Sequence, residues 1–271
     1  MEHILLPTSI EFLEGNTTNV GKVVVTPCTQ GYGTTLGNAL RRVLLSSLPG
    51  AAVDSVKING VSHEFSAVDG VQEDMIEIIL NLKQMAVKLY GDEAIVLTLN
   101  KKTIGPVTAG DFEKDSQVEI MNPELVLFNI TKSAPVEMEV TIVKGWGYVA
   151  AAEKEKKNLD LGTIVIDSLF TPIRDVGYAV ELTRLGDVTD YEKLTLTIET
   201  NGTVSPKDAL SESTKILMDH FALILEATGE AHKIVPTREK EGLVEEEISI
   251  EENDEAADED EKPKSKKKAK K

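Results

Sequence analysis

At 271 residues the chain is long enough for one large domain or two small ones, and its 41% hydrophobic content is enough to fill a core. The formal charge is −17, of which residues 236–271 carry −4 and residues 1–235 carry −13. So acidic a body argues against broad binding of a phosphate backbone, which needs clustered Lys and Arg.

A single cysteine, Cys28, excludes an internal disulfide and points to a reducing compartment. No cysteine accompanies His3, His63, His220 or His232 at zinc-ligand spacing. The start "MEHILLPTSIEF" lacks the basic-then-apolar order of a secretory signal, and no run of about 18 apolar residues is present. A cytoplasmic location without membrane contact is expected.

In chain order, the stretch "GYGTTLGNALRRVLLSSLPG" (31–50) predicts a helix over about 35–48, ended by Pro49-Gly50. "AVDSVKI" and "VSHEF" flank Asn59-Gly60, a dipeptide suited to a two-residue turn, and predict a hairpin. "EDMIEIILNLKQMAVKL" (73–89) predicts a second helix with Met75, Ile79, Leu82 and Ala86 on one face and acids at its start. Strands are predicted at 94–99, 125–130, 136–143, 178–185 and 194–200, several with period-two alternation. The lone tryptophan, in "KGWGY" (144–148), reads as a strand end. Ser205, Pro206 and Asp208 form a start signal for a third helix running to about Ala227. Residues 233–271 hold an acidic block and then a lysine block with little to bury. They read as a disordered, solubilising tail, with weak nucleic-acid contact by the lysines as the functional alternative. Strands and helices do not alternate strictly, so an α+β fold is expected.

Two helices carry more apolar surface than one core face needs. At 100° per residue the third helix places Leu210, Leu217, Phe221, Ile224 and Leu225 on a stripe suited to a sheet, with Ile216 and Leu223 outside it. In the first helix, Leu36, Leu40, Val43, Leu44 and Leu48 share a broad face, while Arg41, Arg42 and Leu45 lie on the back. Periodicity alone leaves burial within one chain and a subunit interface as equal alternatives.

The glycines of 31–50 invite a phosphate loop, but the spacing fails. The third glycine of G-x-G-x-x-G should stand at 36, where the chain has Leu36, and no Gly-Lys-Ser/Thr follows. A DNA-reading helix fares no better, because the helix is mostly apolar and no helix-turn-helix partner lies nearby. No nucleophile or paired-carboxylate motif appears, and "DFEKD" (111–115) lacks a metal-binding pattern.

The same stretch, together with "GVQEDMIEIILNLK" (70–83), "LTLNKKTIGPVTAGDF" (97–112) and "KLTLTIETNGTVSPKDAL" (193–210), resembles the α-subunit family of bacterial DNA-directed RNA polymerase. These blocks fall in order across residues 1–232. The resemblance implies a discontinuous dimerisation subdomain, about 1–49 plus 172–232, with a mostly-β subdomain inserted at about 50–171. It implies a homodimer that scaffolds the β and β′ subunits, with ω and σ in the holoenzyme and promoter DNA met through the assembled enzyme. It also implies that the chain holds no cofactor and no catalytic residue, the nucleotidyl transfer belonging to the large subunits.

Carried onto this sequence, the resemblance assigns Leu36, Leu40, Val43, Leu44, Ile216 and Leu223 to the dimer interface. It assigns Arg41, Arg42 and Leu45 to contact with β, and Lys83 and Ile166 to contact with β′. Family members usually continue through a linker into a small helical domain that binds upstream DNA. Residues 233–271 are too few and too polar to form it, so that function is not expected of this sequence.

Overall fold

The computed structural model describes residues 4–15, 17–133, 135–154, 160–186 and 188–228. The expected charged tail lies outside the described residues. The chain opens with strands β1 (Ser9–Glu14) and β2 (Val20–Cys28), then helix α1 (Tyr32–Ser46) and strand β3 (Pro49–Ile58). A short helix α2 (Met75–Leu82) leads to β4 (Val87–Leu89), β5 (Ile95–Lys101), β6 (Gly105–Thr108), β7 (Val118–Ile120) and β8 (Val126–Ile130). The long β9 (Val136–Trp146) is followed by β10 (Tyr148–Val149), β11 (Thr163–Val165) and β12 (Ser168–Leu169). A hairpin of β13 (Ile173–Leu185) and β14 (Val188–Thr200) precedes helix α3 (Pro206–Ala227). The fold is α+β and mostly β. No helix among the described residues is long and apolar enough to cross a membrane.

Among the described residues this gives two hydrophobic cores. The smaller is built on the antiparallel sheet β1-β2-β14-β13, with α1 and the start of α3 laid against it. It gathers Val23, Leu44, Leu48, Ile173, Val176, Leu196, Ile198, Ala209 and Leu210, so it is made from both ends of the described chain. The larger, drawn from residues 53–166, packs α2 and β8 against the sheet β5-β9-β3-β4-β7. The chain passes between the cores at 49–52 and again at 167–172. There Gly50 and Gly145 face each other as a cross-strand pair, and Phe170 fills the space that side chains would occupy. A Cβ on Gly50 would lie 1.9 Å from the Phe170 carbonyl oxygen, so no other residue fits there without moving the backbone.

Three expectations change. The Asn59-Gly60 turn forms, with Gly60 at φ +84° and Val61 N–H donating to the Ile58 carbonyl, but no hairpin follows it. Both edges of β3 near the turn are already occupied, by β9 on one side and β11 on the other, so residues 61–65 have no strand to pair with.

The second helix stops at Leu82 rather than Leu89. Val87 and Leu89 are buried with Lys88 between them, a period-two pattern, and they join the sheet as β4. Asn122 supports the change of direction: its side chain accepts from Ala86 N–H at 2.8 Å and donates to the Gln84 carbonyl at 3.0 Å.

The third helix does not lay its whole stripe on the sheet. Only Ala209, Leu210 and Ser213 are buried, whereas Phe221 and Ile224 are mostly exposed. At 1.5 Å per residue, 22 residues reach about 33 Å, and the far half outruns the sheet beneath its start.

Candidate assembly surfaces

The glycines of the 31–50 stretch set how α1 meets the sheet. Gly31 begins the turn at φ +86°, a conformation glycine adopts without strain. Gly33 and Gly37, one turn apart, are buried; side chains there would collide with Glu192 and Val180, and with Tyr178 and Leu194, respectively. The helix has no side-chain cap of its own and no acid in its first turn. Its free amides are instead bound by Glu192, whose carboxylate accepts from Gly31 N–H at 2.9 Å and from Gly33 N–H at 3.0 Å. The position an anion would take at this helix end is filled by the chain's own carboxylate. Cys28 is buried and is the Cα partner of Glu192 across the β2–β14 pair. Burial, with the Glu192 charge adding to it, pushes its thiol pKa up and makes it a poor nucleophile.

The expected α1 contacts divide by depth. Leu44 is completely buried in the chain's own smaller core, so its assignment to the dimer interface is corrected: its side chain has no surface left for a second copy. Leu40 is partly buried against that core, Val43 is half-buried, and Leu36 is exposed. On α3, Ile216 also packs partly against the chain's own core, so little of it remains for a partner. Leu223 is 65% exposed, and Met218, Phe221 and Ile224 accompany it at the solvent surface. On the outer side of α1, Arg41, Arg42 and Leu45 are exposed together. Neither guanidinium has an ion-pair or hydrogen-bond partner among the described residues.

Lys83 stands at the C-terminal end of α2 and places Nζ 2.8 Å from the Asp167 carboxylate. Asp167 also accepts from Ala151 N–H at 2.9 Å. The Ala151 amide, and then Lys83, hold its pKa below the ordinary aspartate value. Ile166, one residue earlier, is buried in the larger core; its assignment to a β′ contact is corrected, since its side chain points inward. The segment is nevertheless brought beside Lys83, with Asp167 and the exposed Leu169 as its outward members. Lys154 fastens the segment from within: its ammonium donates to the Ile166 carbonyl and Ser168 Oγ, both at 2.6 Å, and pairs with the Asp54 carboxylate at 2.8 Å.

Residues 56–171 match the family model for the RNA polymerase Rpb3/RpoA insert domain. A DNA-directed RNA polymerase subunit alpha from Desulforamulus reducens is 50% identical over 233 residues, covering 86% of this chain and 74% of the relative. The chain belongs to the DNA-directed RNA polymerase alpha-subunit family. The subunits alpha of Moorella thermoacetica and Oenococcus oeni are similar at 50% and 49% identity, over 82% and 79% of this chain and 71% and 69% of theirs.

In this alpha-family chain the insert-domain match takes in nearly all of the larger core and ends one residue after Phe170. Sequence reasoning missed Glu192 and Asp167. Asp167 could have been suspected as the one acid within "IVID", the segment already singled out. Nothing local marks Glu192, whose partner amides lie about 160 residues upstream.

Proposed function

We propose that this chain is the noncatalytic assembly subunit of a DNA-dependent RNA polymerase. It pairs with a second copy of itself in the cytoplasm, and the dimer holds the β and β′ subunits. It brings no cofactor or metal of its own; ω and σ join the enzyme it helps build, and promoter DNA is met by the assembled complex. The observation that carries this reading is the far half of α3. There Met218, Phe221, Leu223 and Ile224 are 45%, 57%, 65% and 61% exposed, more apolar surface than a lone helix leaves in water. A second copy supplies the cover, with Leu36, Leu40 and Val43 of α1 contributing. Arg41, Arg42 and Leu45 face β, and Lys83, paired with Asp167, faces β′.

Co-expression with β and β′ followed by mass measurement tests the reading: a complex holding two copies of this chain is expected. Arg42→Ala is expected to leave the dimer intact and lower β recovery about tenfold. A monomer that binds nucleotide would overturn the proposal. Loss of the dimer with normal β recovery would show the two faces reversed.

A further inference from the structure

Beyond the helix α1 face stands a second exposed group that neither the family resemblance nor the dimer accounts for. Trp146, the only tryptophan, ends β9 with 73% of its surface open. Tyr148 and Leu169 are direct partners in the β10–β12 pair and are 60% and 56% open. Side chains of directly opposed residues in an antiparallel pair share one face of the sheet. Taking about 200 Å² for each aromatic, Trp146 and Tyr148 alone leave on the order of 250 Å² uncovered, approaching the largest patches usual on a soluble monomer.

The backbone that carries the patch is anchored beside the end of α1, one turn from Arg42. Trp146 is the cross-strand partner of Pro49, three residues after the end of α1. Gly147, at φ +65°, lies so close to α1 that a Cβ there would be 3.5 Å from the Ser46 carbonyl oxygen. Ser46 is one turn beyond Arg42 and donates its hydroxyl to the Arg42 carbonyl at 2.8 Å. Gly147 also accepts from Phe170 N–H at 2.8 Å, which ties this end of the strand to the 167–172 segment. A backbone already held in this way needs little further ordering when a partner covers the strip.

We infer that Trp146, Tyr148 and Leu169 extend the Arg41–Arg42–Leu45 face into one docking surface for the polymerase β subunit. This rests on the β assignment made above and adds the aromatic half of the same contact. The chemistry asked of the partner is specific: carboxylates to meet two guanidiniums that have no partner among the described residues, beside an apolar strip to cover the indole and the leucine. Tryptophan, tyrosine and arginine are the side chains that most often dominate binding energy at such contacts. The link through Gly147 to the end of α1 is what selects β as the occupant.

The lone tryptophan supplies its own probe. The full chain is produced with 5-fluorotryptophan, and its single ¹⁹F resonance is followed as β is added. The resonance is expected to move and to lose its H₂O/D₂O solvent shift on binding β, and to stay constant as the chain alone is concentrated. In parallel, Trp146→Ala is expected to weaken β capture at least about tenfold with the dimer mass unchanged. Arg42→Ala serves as the control for the underlying assignment. If Arg42→Ala weakens capture while the resonance stays still and Trp146→Ala captures normally, the aromatic extension is wrong and the β assignment stands. If neither variant weakens capture, the β assignment itself fails. Movement with chain concentration alone, or with β′ but not β, would assign the patch to a different occupant and overturn the inference. Should Trp146→Ala fail to fold, the fluorine experiment on the unmutated sequence still decides.

Discussion

Glu192 caps helix α1 at Gly33 across 159 positions of sequence, through a hydrogen bond of 3.0 Å that pairs with a second to Gly31. The start of the helix therefore depends on strand β14, and no residue in its own first turn can take over. Glu192→Ala is expected to lower stability by about 1–2 kcal/mol, the range of a lost cap and charge–dipole contact. The Gln variant, which keeps an acceptor, should lose less. Urea unfolding gives the total, and amide exchange at Gly33 shows whether the loss is local. Unchanged exchange at that amide in the Ala variant would remove Glu192 from this role.

Asp167 predicts an acid dependence. Its folded pKa lies below the ordinary value of about 3.9. The stability it contributes is thus complete above that ordinary value and disappears as pH falls through the lower folded value. Comparing urea midpoints from pH 6 down to pH 3, Asp167→Asn should fall less steeply than the unmutated chain. Lys83→Ala should reduce the dependence without abolishing it, because the Ala151 amide is the larger cause of the shift. Equal slopes for all three proteins would contradict this account.

Leu44 and Leu223 are expected to fail in opposite ways. Leu44 is wholly buried in its own chain, so Leu44→Ala should cost about 2–5 kcal/mol of folding stability while folded molecules still pair. Leu223 is largely open in the single chain, so Leu223→Asp should leave that chain folded and break the dimer by placing an unpaired charge in the contact. Sedimentation equilibrium read beside thermal unfolding separates the two. A Leu223→Asp protein that keeps the dimer mass would rule out the far half of α3 as the seam.

Local pattern made much of this architecture legible. Ser205 and Pro206 start α3 where capping chemistry places it, and the alternation of β9 and the β13–β14 hairpin reads directly as strand. What stayed hidden was set by neighbours in space. Residues 61–65 carry a strand composition but meet a β3 whose edges are taken, and Val87–Leu89 continue a helical period yet are claimed by a sheet. For the surfaces, helical spacing separated Arg42 from Leu40. It could not say how far the sheet extends beneath each helix, and that decides why Leu44 is core while Phe221 is open. Trp146 was identified as a strand end, but its proximity to α1 depends on Gly147 turning back onto Ser46, a contact about a hundred residues apart in sequence.

The glycine pair under Phe170 has a mechanical meaning. A body hung from its neighbour by one peptide segment can spin about that segment; hung by two segments pressed together, it resists torsion as a plate does. Gly50 brings the outgoing segment into contact with the incoming one at the Phe170 carbonyl, and Gly145 lets the ring seat flat between them. The part built on the larger core is thereby a stiff outrigger of the part built on the smaller one. A partner gripping that part at Lys83, which is paired with Asp167 beside the crossing, would transmit torque to the frame that carries α1 and α3.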